Sequence, residues 1–253
     1  MSSDNKRVVL IAAPPSHGKS FSLKAMAGDP GVAYLNTDLK DLPFKIPPNG
    51  MKQKLMNLQP DLAEDPNPNL PAEWLNTVEA IPSIHTVIID TITHLMDQYE
   101  NHIVLKSEDT RSAWQSYATF YKNFMHLAKT GTKNVIILAH THSVFNEENG
   151  HWNSVVPVKG HIGRIGIEAD YSIILSPKKV SINDLKPYMD GNDLLSISER
   201  ENRLGFKYVF MTDITSNHLG DKTRSPDGMW EDQELYIDND IRLVTDRLAT
   251  YYA

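Results

Sequence analysis

Short apolar runs bounded by turn residues alternate with helix-like stretches along this chain. The runs are apolar at consecutive positions rather than at every second one, which is typical of strands buried on both faces. Such strands, alternating with helices, predict an α/β fold with a mainly parallel central sheet and helices on both faces. The predicted strands are residues 7–12, 32–36, 86–90, 134–139, 171–175 and 206–212.

Helices are predicted between and after these strands, at residues 18–26, 72–80 and 241–252, with a longer one ending near Gly131. The longer helix carries a stripe at spacings of three and four, which favours a core face over a base-stacking surface. That stripe comprises Trp114, Tyr117, Tyr121, Phe124, Met125 and Ala128. Residues 39–71 are rich in Pro and Asn and predict an irregular insertion outside the core. Residues 1–253 are therefore interpreted as one domain.

Composition narrows the class of protein. The chain has 253 residues, 40% hydrophobic and 23% charged, which is enough apolar content for a sizeable core. No apolar run approaches the roughly 18 residues that a membrane-spanning helix needs, and no signal peptide is visible. The sequence has no cysteine, which excludes disulfides, thiolate metal sites and cysteine nucleophiles. A formal net charge of −7 argues against a small module that coats duplex DNA. An enzymatic function is compatible with this charge. We expect a cytoplasmic protein.

The strongest chemical signal is residues 13–20, APPSHGKS. The segment matches G-x-x-x-x-G-K-[ST] except at Ala13, and it has the strand before it and the helix after it that a P-loop requires. Backbone N–H groups would wrap a β-phosphate, Lys19 would bridge the β- and γ-phosphates, and Ser20 would bind Mg²⁺. We therefore expect ATP and Mg²⁺ as cofactors. The predicted nucleotide-binding residues are Pro15, Ser16, His17, Gly18, Lys19, Ser20 and Phe21.

Polar residues stand where the other predicted strands end. Asp90 is predicted to hold Mg²⁺ together with Ser20, and a cap on the following turn is the alternative. Asp38, after the second strand, is the candidate for orienting the attacking water, with a loop cap as the alternative. His140 or Thr141, at the end of the fourth strand, could sense the γ-phosphate. These assignments place a catalytic site at one edge of the sheet.

The order of these segments resembles RecA-like P-loop ATPases, and more narrowly the phage AAA-type proteins described as RecA-like single-strand annealing ATPases, the Sak-four group. The resemblance spans nearly the whole chain. It rests on APPSHGKS, YLNTD, TVIIDTITHL, WQSYATFYKNFMHL leading into NVIILAHTH, and a late DKTRSPDG. The carboxylate after the second strand is usually Glu in that class, so the shorter Asp38 implies slow hydrolysis. The sensor of the class matches His140.

The resemblance implies two further sets of residues. Related ring ATPases carry a Lys-x-Arg pair that reaches the γ-phosphate of a neighbouring subunit, and Lys222 and Arg224 match that pair, with a solvated turn as the alternative. RecA-like proteins also bind single-stranded DNA through loops that correspond to residues 99–112 and 143–166. The implied DNA contacts are Lys159, His161 and Arg164, with Phe145 and Trp152 in the same segment.

The function that the resemblance implies is phage DNA recombination or single-strand annealing by a slow Mg-dependent ATPase. Such a protein would form a ring or filament on single-stranded DNA, with nucleotide at subunit interfaces. A single-strand DNA-binding protein is a candidate partner, no membrane is involved, and the location would be the cytoplasm of a bacterial host.

Other functions stay open. The main alternative is an ATP-driven motor or loader that remodels a partner without annealing strands, and another is a binding module in which ATP serves as structural glue. A small-molecule kinase fits poorly, because residues 39–71 contain lysines but no arginine for a phosphate lid. A zinc site on His140, His142 and His151 has neither cysteine nor ligand geometry to support it.

Overall fold

The computed structural model describes residues 8–148 and 150–253, so the predicted first strand residue, Arg7, and the N-terminal residues before it lie outside the described part. The strands are β1 Val8–Ala13, β2 Val32–Asn36, β3 Lys52–Leu55, β4 Thr86–Asp90, β5 Asn134–His140, β6 His142–Asn146, β7 His151–Val155, β8 Ile173–Ser181, β9 Phe206–Met211 and β10 Tyr236–Asp238. The α-helices are α1 Leu70–Glu79, α2 Ile92–Tyr99, α3 Thr110–Thr130, α4 Gly160–Ile165, α5 Ile182–Leu185, α6 Glu199–Leu204 and α7 Ile241–Tyr251.

The central sheet has eight strands in the order β10-β9-β8-β1-β5-β4-β2-β3. All pairs from β8 to β3 are parallel, and β9 and β10 extend the sheet in antiparallel fashion. This order confirms the predicted α/β class with a mainly parallel sheet. Because β1 lies between β8 and β5, the loop that follows β1 emerges at the middle of the carboxyl edge of the sheet.

Alternate residues of the central strands enter two separate core layers. In β1, Leu10 packs with residues of α2 and α3, whereas Ile11 packs with the 3₁₀-helix Ser20–Met26 and with α7. Both side chains are fully buried, and burial of each stabilises the fold by about 1.5–3 kcal/mol. Consecutive apolar residues thus form this strand because both of its faces are covered.

Residues 39–71 differ in part from the predicted insertion. They are mostly irregular, but β3 pairs in parallel with β2 at the sheet edge. Met51, Met56 and Leu58 are buried in the core layers. The four residues of β3 are all exposed, so the apolar pattern that identifies a buried strand is missing there. The segment is therefore part of the sheet rather than wholly outside the core.

The predicted helices are present with adjusted bounds. The aromatic stripe of α3 belongs to the core as predicted, and the helix ends immediately before Gly131. The helix after the P-loop is a 3₁₀-helix, Ser20–Met26, and α2 was not predicted. Other short helical segments are the π-helical turn Glu100–Val104 and the 3₁₀-turns Ile167–Asp170, Lys186–Tyr188, Ser216–His218 and Asp232–Leu235.

Across the described ranges, no helix combines the length and the apolar character that a membrane span requires.

Candidate nucleotide-binding site

The P-loop connects β1 to the 3₁₀-helix through two left-handed residues, Ser16 with φ 63° and Gly18 with φ 91°. A Cβ atom at Gly18 would lie 2.7 Å from Asn239 Nδ2 and 3.0 Å from Tyr208 Cδ1, so glycine is required there for space as well as for conformation. Ala13, which replaces the first glycine of the motif, is the last residue of β1 and does not have a positive φ. The departure from the motif therefore costs the loop no backbone strain.

The loop offers backbone donors to an anion. The N–H groups of residues 16–19 donate to no other protein group in the portion of the chain that the structure describes. Consecutive free N–H groups in a turn with αL residues form a concave anion site, and the helix that follows adds its positive end. This geometry fits the phosphates of a nucleotide.

Lys19 is a buried cation within the loop. Its Nζ donates to Ala13 O at 2.7 Å and to Pro14 O at 2.9 Å. Burial lowers the pKa of Lys19 to about 8, against the opposing attraction of Asp90 and Asp38. A buried ammonium with neutral partners is costly, so an approaching triphosphate would stabilise its charge.

Asp90 joins the P-loop to the end of β4. Its Oδ2 accepts a hydrogen bond from Ser20 Oγ at 2.8 Å and another from Tyr34 Oη at 3.0 Å. Burial raises the pKa of Asp90, and these two hydrogen bonds oppose the rise. The N-cap of α2 is Thr91, which accepts from the His94 N–H, so capping does not explain the carboxylate. Hydroxyl and carboxylate oxygens are ligands that suit Mg²⁺.

Asp38 lies at the same edge, after β2, and is paired with a histidine. Its Oδ1 is 2.5 Å from His94 Nδ1, and its Oδ2 is 3.4 Å from Lys40 Nζ. The turn after β2 is closed instead by Asn36, whose Oδ1 accepts from the Leu39 N–H. The loop-cap alternative for Asp38 therefore has no support, and the carboxylate is oriented by His94.

The sequence interpretation did not identify His94. The residue lies on α2, whose N-cap Thr91 also contacts its Nδ1 at 2.9 Å. No local signal pointed to it, because Asp90 belongs to β4 rather than to the helix, and His94 pairs with Asp38, which is distant in the sequence.

His140 approaches this pair from β5. Its ring lies edge-on to the His94 ring at 5.3 Å between centroids. Burial, with the nearby Lys19 and His94, lowers the pKa of His140 to about 4, so the ring is neutral at physiological pH. His140 Nδ1 and Thr141 Oγ1 are both buried without a hydrogen-bond partner among the described residues. Both sensor candidates thus retain an unused polar atom.

Two groups of histidines bear on metal binding. His142 and His151 lie at opposite ends of the β6–β7 hairpin, opposite Val155 and Asn146 respectively, so the zinc alternative with His140 is not supported. Asp38, His94 and His140 do place one ligand atom each within 4.8 Å of one another. The Asp38–His94 contact of 2.5 Å, however, is shorter than the roughly 3 Å that separates two ligands of one ion at about 2 Å. Asp38 and His94 are therefore a close ion pair rather than two ligands of one metal ion.

One cavity of about 520 Å³ gathers most of the predicted residues, and its volume is that of a small-molecule site. Its lining comprises Pro15, Ser16, Gly18, Lys19, Ser20, Phe21, Asp38, Lys40, Pro43, Asp90, His140 and Tyr208. His17 is outside this lining and its Nδ1 contacts Pro15 O at 2.9 Å. Tyr208, on β9, is a second residue that sequence interpretation missed.

Lys222 and Arg224 do not line the cavity at the P-loop. The backbone of Arg224 pairs with Ile174, which pairs in turn with Leu10, the third of the six residues of β1, whereas the P-loop follows Ala13 at the end of that strand. The exposed Arg224 donates from Nη1 to Tyr171 O at 3.1 Å, and Lys222 Nζ is 3.8 Å from Glu168 Oε1. The structure does not bring this pair to the cavity.

The segment 143–166, expected to be a DNA-binding loop, contains regular secondary structure. It contains most of the β6–β7 hairpin and α4, and residue 149 is outside the described part. Lys159 Nζ pairs at 2.6 Å with Glu100 Oε1, which lies in the other predicted DNA loop. His161 and Arg164 are exposed. The hairpin presents Phe145 and Trp152, 47% and 64% exposed, with ring centroids 5.3 Å apart.

Comparison with known protein families assigns the chain that contains this site to a family. The family model described as AAA domain matches residues 5–161, which is more than half of the chain. The matched region includes the P-loop, Asp38, Asp90 and His140, whereas Arg224 lies beyond it. No curated protein matches the chain.

Proposed function

The chain belongs to the AAA domain family, of the P-loop ATPase type, and we propose that it binds MgATP in the cavity beside the P-loop and hydrolyses it slowly. The observation that carries the proposal is the 2.8 Å hydrogen bond between Ser20 Oγ and Asp90 Oδ2. The bond brings the hydroxyl of the P-loop serine next to the carboxylate at the end of β4. These are the two kinds of group that hold a Mg²⁺ ion bound to nucleotide phosphates in P-loop ATPases.

Each residue of the cavity edge has a role in this proposal. Mg²⁺, when bound, would neutralise charge on the phosphates and would be held by Ser20 and Asp90. Lys19 binds the phosphates with its ammonium group. Asp38, oriented by His94, accepts a proton from the attacking water, and neutral His140 hydrogen-bonds to a γ-phosphate oxygen through a ring N–H.

We further propose a RecA-like assembly on single-stranded DNA, in phage recombination or strand annealing. The exposed rings of Phe145 and Trp152 support DNA binding, because bases stack on aromatic side chains without sequence preference. Exposed His161 and Arg164 would contact the phosphate backbone. The distance of Arg224 from its own P-loop supports a role on the site of a neighbouring subunit.

The β6–β7 hairpin is in direct contact with Gly220, two residues before Lys222. Ser154 N–H donates to Gly220 O at 2.7 Å. A Cβ atom at Gly220 would lie 1.7 Å from Trp152 O, so only glycine allows the approach. A DNA strand that displaces the β6–β7 hairpin would therefore also move the Lys222–Arg224 turn. This coupling supports the proposal that DNA stimulates ATP hydrolysis.

The test of this function is the ATPase rate with and without single-stranded DNA at several protein concentrations. We expect DNA to raise the rate per subunit by at least tenfold, with a steep dependence on protein concentration, because an arginine supplied in trans acts only in the assembly. Lys19→Ala is the matched control, and it should lack both ATP binding and hydrolysis. A rate that DNA and concentration leave unchanged would contradict the assembly and favour the remodelling motor or the ATP-glued binding module. Normal ATP binding by Lys19→Ala would refute the site.

MgATP affinity should depend on pH through Lys19. Its ammonium is charged below the pKa of about 8 and is lost above it, so we expect Kd to rise above pH 8 by up to about tenfold per pH unit. Calorimetric titration between pH 7 and 9.5 measures this. Lys19→Arg, which stays charged throughout, should bind without that slope. A constant Kd for the unmodified protein would show that Lys19 does not contribute its charge to binding.

A further inference from the structure

The phosphate cavity contains a second lysine, Lys40, to which the proposed function gives no role. Lys40 lines the cavity together with Lys19, Asp38 and Asp90. Lys19 is buried and bonded to the P-loop backbone, whereas 71% of the Lys40 side chain is exposed. The ammonium of a lysine is a point charge on a flexible stem. The cavity therefore has one fixed and one movable cation.

The backbone of Lys40 is held by Asn36, a buried residue at the end of β2. Asn36 Nδ2 donates to Lys40 O at 2.8 Å, and Asn36 Oδ1 accepts from the Leu39 N–H at 2.9 Å. Leu39 has a φ of 57°, a left-handed conformation that is uncommon for residues other than glycine. Such conformations persist where surrounding contacts impose them, and they cluster at binding sites. The turn thus fixes the point from which the Lys40 side chain starts.

The same turn is bonded to the end of β4. The Thr37 N–H donates to Asp90 O at 2.8 Å, and Thr37 Oγ1 donates to Thr91 O at 2.7 Å. Asp90 in turn accepts from Ser20 of the P-loop. The backbone that carries Lys40 is therefore tied to the residues proposed to hold Mg²⁺, and it keeps its position relative to the phosphates.

Asp38 is the only ion-pair partner of Lys40 in the part of the chain that the structure describes. Lys40 Nζ lies 3.4 Å from Asp38 Oδ2. A long ion pair with one partner mostly in water contributes little to stability. A bound triphosphate offers several anionic oxygens in the same cavity, so Lys40 can exchange Asp38 for the phosphate at small cost.

The charge of Lys40 acts on both residues proposed to contact the γ-phosphate. Burial is the main cause that lowers the pKa of Lys19 and of His140, and the positive charge of Lys40 adds to the lowering of each. Lys19 approaches the cavity from the P-loop and His140 from β5. A cation whose field reaches both residues lies on the side of the cavity where the γ-phosphate would be bound, and an anion between the two lysines would remove their repulsion.

We propose that Lys40 is a second phosphate-binding residue, which pairs with the γ-phosphate of bound ATP and makes the site prefer a triphosphate to a diphosphate. The inference rests on the proposed MgATP binding and adds the group that distinguishes ATP from ADP. Asp38, as the base, must reach a water beside the γ-phosphate, and Lys40 Nζ lies next to Asp38. When Lys40 moves to the phosphate, Asp38 Oδ2 becomes free to accept a hydrogen bond from that water.

The test measures the affinities for MgATP and MgADP by calorimetry on the full chain. We expect the unmodified protein to bind MgATP about tenfold more tightly than MgADP, the lower end of what one charge-assisted hydrogen bond provides. Lys40→Ala should weaken MgATP binding by about tenfold and leave MgADP binding unchanged, whereas Lys40→Arg, which keeps the charge, should retain most of the preference. Lys45→Ala is the matched control, because Lys45 is an exposed lysine of the same irregular segment and does not line the cavity.

A second background separates phosphate binding from an effect through Asp38. Asp38→Asn removes the carboxylate with which Lys40 pairs in the empty site, so a role confined to positioning Asp38 disappears in that variant. We expect Lys40→Ala to weaken MgATP binding by about tenfold in the Asp38→Asn background as well, because the contact is with the nucleotide. Alanine at position 40 keeps the backbone carbonyl that Asn36 binds, so the turn remains closed.

The outcomes separate this inference from the proposed function. If Lys40→Ala binds MgATP as the unmodified protein does, or loses affinity for MgATP and MgADP equally, Lys40 does not bind the γ-phosphate, while ATP binding stands. If Lys45→Ala shows the same loss as Lys40→Ala, the effect is general attraction and the assigned contact is wrong. If the loss vanishes in the Asp38→Asn background, Lys40 only positions Asp38. If the unmodified protein binds neither nucleotide, the proposed function fails and this inference fails with it.

Discussion

Asp38→Asn is expected to lower kcat for ATP hydrolysis by about 10²- to 10⁴-fold, the usual contribution of a positioned general base. The amide keeps the size of the carboxylate but cannot accept the proton of the attacking water. Affinity for MgATP should be unchanged or higher, because a negative charge near the phosphates is removed. Single-turnover hydrolysis and calorimetric Kd, measured on the same preparation, check the two halves of this prediction separately.

Two variants distinguish the base from a structural carboxylate. Asp38→Glu keeps the charge and introduces the residue that the RecA-like resemblance implies, so hydrolysis should stay within about tenfold of the unmodified rate. His94→Gln removes the 2.5 Å contact that orients Asp38 and should lower kcat by only about tenfold, since the base remains. If Asp38→Asn hydrolyses ATP at the normal rate, the carboxylate serves only to pair with His94.

The residues at strand ends were predictable from sequence for a simple reason. A parallel sheet brings the carboxyl ends of its strands to one edge, so Asp38, Asp90 and His140 had to meet once their strands were recognised. Each of those strands is buried and has consecutive apolar residues. The cavity confirms that these residues meet, while their catalytic roles stay predictions.

Other parts of the site depend on contacts that no local pattern encodes. His94 is one of ten histidines, and only the unpredicted helix α2 brings it to Asp38. Tyr208 and Asn239 reach the P-loop because β9 and β10 add to the sheet in antiparallel fashion beyond β8, an order that hydrophobic periodicity does not specify. Likewise, the ion pair between Lys159 and Glu100 joins two segments that looked like independent loops.

Arg224→Ala is expected to reduce ATPase activity of the assembled protein by about 10³-fold, within the range of arginine fingers, and to leave MgATP affinity of the isolated subunit unchanged. The location of Arg224 is the reason for both expectations. Arg224 is exposed and its backbone pairs with Ile174, which lies at the level of Leu10 and not at the carboxyl ends of the strands. Its guanidinium donates from Nη1 to Tyr171 O and does not line the cavity, so we expect it to act on a neighbouring site. Arg200→Ala, at another exposed arginine, is the matched control and should keep full activity.

Mixing variants makes the test decisive. Asp38→Asn lacks the base but retains Arg224, whereas Arg224→Ala has an intact cavity but lacks the guanidinium. Neither alone should hydrolyse ATP, yet a mixture should recover a substantial fraction of the activity, because one subunit supplies the arginine to the intact site of its neighbour. Recovery requires both a shared interface and the trans assignment. If Arg224→Ala is fully active, or if the mixture stays inactive while both variants still assemble, the arginine belongs to a solvated turn and nucleotide is not shared between subunits.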